Sequence, residues 1–224
     1  MPLGRKQAIL AEFAAVARAL GHGHRLELLE HLGQGERSVD GLAAPVGLSV
    51  ANAAQHLQML RRAGLVSSRR DGKFVLYTLA EGAVVTLLCA LRTVAKHNLA
   101  EVDQIRRGYF DARVSLEPIS RQELMARAKA GLLTVLDVRP EDESRAGHLP
   151  GALNTALRSA TTPVRSGPHA RGHCLLPRCL LRFAFDSVAA LHDMVRNARR
   201  LVDGFPEWKA AGLAARHGSE RCRR

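Results

Sequence analysis

The 224-residue chain is short of aromatics (4%), holds four cysteines, and carries 21 acidic residues against 33 lysines and arginines. Each shortage excludes something. No run of about 18 uncharged apolar residues is present, so no membrane-spanning helix is expected. The opening, Met1 to Lys6, leads into a charged amphipathic segment instead of the apolar core of a secretory leader, and a cytoplasmic location is expected. Cys89, Cys174, Cys179 and Cys222 form no C-x-x-C pair and are too scattered for a disulfide framework, so they read as reduced thiols. The acidic deficit leaves a formal charge of +12, which suits a phosphate backbone, where each Lys or Arg contact releases a counterion. Some of that excess, such as Arg221 to Arg224, also reads as a solvated end. With 46% hydrophobic residues, a chain of this length is expected to fold as two small domains.

Ile9, Leu10, Phe13, Val16, Ala17 and Leu20 recur at three- and four-residue steps, which predicts an amphipathic helix from Gln7 to Leu20 ended by Gly21 and Gly23. A second helix follows through Leu26, Leu28, Leu29 and Leu32. Ser38 then caps a short helix from Val39 to Val46, with Asp40 in its first turn, and Gly47 closes it.

Gly47-Leu48-Ser49 is the tight junction that joins such a helix to a second one. Ser49 caps this next helix, whose predicted buried stripe is Val50, Ala53, Leu57 and Leu60. Asn52, Gln55, His56 and Met59 fall on another face at helical spacing. Asn and Gln can make paired hydrogen bonds to adenine in the major groove, and the small Ala51 and Ala54 beside them permit close approach. Beyond Arg61 and Arg62, strand-like Leu65 to Ser68 and Phe74 to Leu79 are joined across Asp71-Gly72, a hairpin signal, with Arg69, Arg70 and Lys73 around it. The predicted DNA contacts are therefore Ser49, Asn52, Gln55, His56, Arg61, Arg62, Arg69, Arg70 and Lys73, with double-stranded operator DNA as partner. From Glu81 to Tyr109 a long helix carries the seam Val84, Val85, Leu88, Leu91, Val94, Ala95, Leu99, Val102 and Ile105. A domain this small cannot cover it, and pairing with a second copy would; a two-fold homodimer presents two recognition helices to successive grooves.

Residues 5–110 resemble the ArsR family of winged-helix repressors. The resemblance rests on His24 to Leu29, on Leu48 to Leu57, on Leu60 to Val66 and on the Arg70 to Tyr77 hairpin. Metal-sensing members often place cysteines before the recognition helix; the equivalent Glu36 to Asp40 has none, so no metal or other cofactor is expected there. His97 and Asp103 on the long helix offer an imidazole and a carboxylate to a metal, and they are read as structural or solvated.

After Pro118, Ser120 and Glu123 form a capping-box signal for a helix to about Lys129, and Leu132 to Val138 reads as a buried parallel strand. Strand and helix alternate, which predicts a small α/β domain over 119–215. Val135 to Arg139, Glu143, Gly147 to Asn154 and Asp203 to Leu213 resemble the rhodanese family of sulfurtransferases. Asp137 and Arg139 are expected to orient the strand end, and His148 to serve a tight turn. The predicted fold is an α+β winged helix-turn-helix domain followed by a small, incomplete α/β rhodanese-like domain.

The resemblance implies a cysteine at the mouth of a strand-to-helix loop reading Cys-Arg-Gly-x-x-Cys, whose backbone N–H groups hold the anionic sulfur. The chain instead reads His173-Cys174-Leu175-Leu176-Pro177-Arg178-Cys179, and the segment 155–182 contains no Asp or Glu. Synonymous codons for Cys174 to Arg182, read one base later, give Ala-Tyr-Cys-Arg-Gly-Ala-Tyr-Cys. The hypothesis this suggests is a pair of compensating frameshifts near Asn154 and Arg182, in the gene or in its sequencing. As translated, the domain is expected to lack its central strand and nucleophile, with weak order from Thr155 to about Leu180. Cys174 is the one catalytic candidate, and an inert exposed thiol its plainer reading. The expected function is a dimeric, sequence-specific DNA-binding regulator, a repressor, with a rhodanese-like sensory domain for a sulfur species or anion. The alternatives are a thiosulfate or persulfide sulfurtransferase and a catalytically dead interaction surface.

Overall fold

A computed structural model describes residues 3–98, 117–154, 173–176, 198–202, 204–216 and 218. The chain divides into two compact units, Met1–Val85 and Thr86–Arg224.

In the first unit, α1 (Leu3–Leu20) and α2 (Gly23–Gln34) are followed by a two-residue strand β1 (Arg37–Ser38), then α3 (Val39–Val46) and α4 (Val50–Arg62). Serine hydroxyls start both short helices: Ser38 Oγ accepts from the Gly41 N–H and Ser49 Oγ from the Asn52 N–H, each at 3.2 Å. Gly47, at φ +70°, ends α3 in the left-handed region that glycine tolerates best. Leu28, Leu29, Leu42, Leu57 and Leu60 are fully buried and form the core of this unit. Ala53 is buried with them, but Val50, assigned to the same stripe, is 48% exposed. It sits in the first turn of α4, before the helix has settled onto the core.

Strands β2 (Val66–Asp71) and β3 (Phe74–Leu79) pair antiparallel from Val66 opposite Leu79 to Asp71 opposite Phe74. The turn is therefore Gly72-Lys73, one residue beyond the expected Asp71-Gly72, with Gly72 at φ +58° supplying the left-handed conformation. Strand β1 adds to the other side of β3, giving the order β1-β3-β2, an addition too short to show in the sequence pattern. Helix α5 (Gly82–Asn98) follows; Val84, Val85 and Leu88 are buried, whereas Leu91 and Val94 are exposed. The remaining seam positions Leu99, Val102 and Ile105, and the expected helical stretch to Tyr109, lie outside the described residues.

The second unit is a parallel sheet in the order β4-β8-β7-β5-β6, built from β4 (Pro118–Ile119), β5 (Thr134–Asp137), β6 (Leu153–Asn154), β7 (His173–Leu176) and β8 (Ala198–Leu201). Helices α6 (Arg121–Lys129), α7 (Glu141–Ala146) and α8 (Phe205–Ala210) accompany it. Ser120 caps α6 through the Glu123 N–H, as expected from the sequence. The central strand, predicted to be missing, is present: β7 hydrogen-bonds to β5 on one side and β8 on the other. His-Cys-Leu-Leu is short and apolar enough to fill a strand covered on both faces, whatever surrounds it in sequence. The other residues for which weak order was expected, 155–172 and 177–180, lie outside the described residues.

Candidate nucleic-acid interface

Helix α4 has two faces that the core separates. Ala53, Leu57 and Leu60 are fully buried, while Asn52, Gln55 and Met59 are exposed and His56 is half-buried. The burial of one stripe fixes the rotation of the helix, and with it the direction of the polar side chains. Ser49 is exposed, yet its hydroxyl is engaged as the N-cap, so it positions the helix start.

Arg25 braces this arrangement. Its Nε and Nη2 donate to the carbonyls of Ala19 and Arg18 at 2.5 and 2.9 Å, closing the C-terminal turn of α1, while Nη1 lies 3.9 Å from Met59 Sδ on α4. The last turn of α4 and the hairpin supply the cations. Arg61, Arg62, Arg70 and Lys73 are exposed, and Arg61 Nη1 donates to Ser68 Oγ at 3.2 Å, tying the end of α4 to β2. Lys73 Nζ stands 5.2 Å from the Phe74 ring centroid at the turn. Arg69 differs from its neighbours: Nε and Nη2 fork onto the Glu36 carboxylate at 2.7 and 2.6 Å, and Nη1 approaches Asp71 at 3.4 Å. The Arg69 hydrogen bond holds the Glu36 carboxyl below its ordinary range, and the same bond raises the guanidinium. Arg69 thus pins the hairpin to the segment before β1 and is less available to a phosphate than Arg70.

Sequence reading missed a histidine group. His22, at the start of α2, His24 in its first turn and His56 on α4 bring one ring nitrogen each within 4.8 Å of one another. The His22-x-His24 spacing was visible, but its meeting with a residue more than thirty positions away was not. Burial lowers the His56 pKa, and the nearby His22, Arg25 and His24 push the same way. Of the earlier metal pairing, the His97 side chain and Asp103 lie outside what is described.

In the second unit, Cys174 is the second residue of β7, opposite Val135 and Arg199, and is fully buried beside Phe205 and Trp208. Burial pushes its thiol up to about 12, and a hydrogen bond with the Leu201 backbone only partly offsets this. Neither the candidate nucleophile nor the exposed inert thiol describes it. Cys174 is a core residue, because a side chain inside a covered parallel strand points into packing and not into a loop mouth. Asp137 and Arg139 do orient the strand end: the guanidinium forks onto the carboxylate through Nε at 2.9 Å and Nη2 at 2.6 Å, and Nη2 also reaches the Gly147 carbonyl at 2.7 Å. Asn154 Nδ2 donates to the carbonyls of Asp137 and Arg139, locking β6 beside them. His148 is buried; its backbone bridges to Arg216, and Nδ1 lies 3.0 Å from the Ser144 carbonyl, a turn role.

A capped short helix, a polar-faced second helix and a basic hairpin define a winged helix-turn-helix protein, here carrying a parallel α/β domain. Residues 20–69 match the helix-turn-helix domain family, and residues 120–173 match the rhodanese-like domain family. The HTH-type transcriptional regulator Rv0324 of Mycobacterium tuberculosis is 35% identical over 218 residues, spanning 96% of this chain and 95% of that protein. The nodulation protein NolR of Rhizobium meliloti is 40% identical over 85 residues, 38% of this chain and 70% of its own length. A solution structure of the homodimeric winged helix-turn-helix domain of Mb0332 from Mycobacterium bovis, a possible ArsR-family regulator, is 38% identical. It covers 43% of this chain and 90% of that one, with a TM-score of 0.41. The chain belongs to the HTH-type transcriptional regulators and carries a rhodanese-like domain. The rhodanese-like match ends one residue before Cys174, and no Cys-Arg-Gly loop follows in the sequence. Among the described residues no helix is long and apolar enough to cross a membrane.

Proposed function

We propose that the protein acts in the cytoplasm as a homodimeric repressor, docking α4 of each subunit into the major groove of an operator and laying the β2–β3 hairpin along the phosphates. The observation that carries this reading is the exposed pair Asn52 and Gln55 on a helix whose opposite stripe is fully buried. In this reading Asn52 and Gln55 contact bases, His56 lies at the rim of that face, and Ser49 sets the helix start. Arg61, Arg62, Arg70 and Lys73 contact phosphates, and Arg69 holds the wing. Pairing of two copies is supported by an apolar stripe left open on α1, where Ile9, Leu10 and Phe13 are 55%, 51% and 65% exposed.

The rhodanese-like domain serves as the sensory module for a sulfur species or other anion, binding of which shifts the dimer between DNA-competent and DNA-incompetent states. We attribute the segment 155–182 to compensating frameshifts in the gene or in its sequencing. The nucleotide sequence tests that directly: no shifted frame encoding a cysteine loop would dispose of it. Footprinting on DNA flanking the protein's own gene tests the function. The expected result is a protected, salt-sensitive pseudo-palindrome bound by a dimer; a monomer with no preference for any promoter fragment would overturn the assignment.

A further inference from the structure

We infer that His22, His24 and His56 form a binding site for a divalent transition-metal ion of the borderline class, with Zn²⁺ the simplest occupant. One nitrogen from each of the three rings lies within 4.8 Å of the other two, and the ring centroids are 4.7 to 5.9 Å apart. Three imidazoles converging from two separate segments, the start of α2 and the middle of α4, are a nitrogen-rich donor set of the kind that suits zinc, nickel or copper, and leave a further position for water. This site is independent of the DNA-binding reading and stands or falls without it.

Coordination at about 2.0 to 2.1 Å per bond requires the nitrogens to close by more than an ångström. The His22 and His24 side chains are exposed and have room to rotate, whereas half-buried His56 is the fixed point. His56 Nδ1 is buried and meets no hydrogen-bond partner among the described residues, so the ring carries a polar atom that nothing satisfies. His22 Nδ1 accepts a 3.3 Å hydrogen bond from the His24 N–H, a long contact that coordination through that same nitrogen would give up.

Charge must also be counted. Arg25 is close enough for its charge to act on His56, and its field opposes a metal ion there. Its guanidinium is turned toward the carbonyls of Arg18 and Ala19, which takes up part of that field. The ion would tie the α1–α2 corner to the recognition helix, across the same junction that Arg25 spans to Met59.

The test uses the full, untagged chain after treatment with chelator. Co²⁺ titration should give visible d–d bands that saturate at one ion per chain and disappear when Zn²⁺ is added. The double variant His22→Gln/His24→Gln should lose the bands while retaining its circular dichroism, since both side chains are exposed, and His56→Gln should lose them as well. Absence of saturable bands in the unaltered chain, or bands undiminished in the double variant and so arising from other histidines, would overturn the site.

Discussion

Arg139 and Asp137 are both fully buried, and their ion pair holds the C-terminal end of β5. The carboxylate accepts Nε and Nη2 of Arg139 and, through Oδ1, the Arg139 N–H at 3.1 Å, while the guanidinium lies 4.3 Å from the Phe205 ring centroid. Asp137→Asn keeps the shape, but it leaves a buried cation without its counter-charge and sets one amide N–H against a guanidinium N–H. Breaking a buried pair from one side costs about 3–5 kcal/mol. With a urea slope of about 2 kcal/mol/M for a small domain, the unfolding midpoint should fall by roughly 2 M. Trp208, the chain's single tryptophan, is packed in the same core as Phe205, so its fluorescence reports this domain and not the first. The double variant Asp137→Leu/Arg139→Met removes both charges and should recover much of the loss, since an apolar pair of similar volume is often neutral. A single-variant loss under about 1 kcal/mol, or a double variant no better than the single, would refute the reasoning.

Leu57→Ala, at a fully buried position of α4, should cost about 2–5 kcal/mol and weaken DNA binding with it; an unchanged thermal midpoint would show that this face is not packed. Gln55→Ala should lose about 1–3 kcal/mol on the operator and little on random DNA, whereas Arg70→Ala should weaken both and flatten the salt dependence, as binding isotherms at several salt concentrations would show. Cys174, with a thiol near 12, presents roughly one part in ten thousand as thiolate at pH 8, so iodoacetamide should modify it only after unfolding. Native labelling as fast as that of the unfolded chain, or cyanide-dependent turnover of thiosulfate by this chain, would restore a catalytic role. His56 has a lowered pKa in the fold, so the unfolded chain binds the proton more readily. Its contribution to stability is present above about pH 6.5 and is lost as the pH falls through the lowered value. The thermal midpoint of the first domain should follow that curve, and His56→Gln should flatten it.

The first domain was legible because its determinants are local. Serine caps at Ser38 and Ser49, the left-handed glycine at Gly47 and the stripe through Ala53, Leu57 and Leu60 each act within a few residues, and each formed where expected. Val50 departed in its exposure and the hairpin turn by a single position, both at element ends, where the pattern has fewest neighbours to support it. The strand β7 was missed for the opposite reason. Four residues carry no periodicity, and only pairing with β5 and β8 makes them the middle of a sheet.

Composition, capping and helical spacing therefore determined that this chain carries a winged helix-turn-helix domain with a polar recognition face, and its motifs placed a rhodanese-like domain behind it. Tertiary structure alone decided that Arg69 serves Glu36, that Cys174 belongs to a core, and that three histidines from two segments converge. Those outcomes depend on contacts between residues far apart in sequence, whose distances are set by packing and not by spacing along the chain.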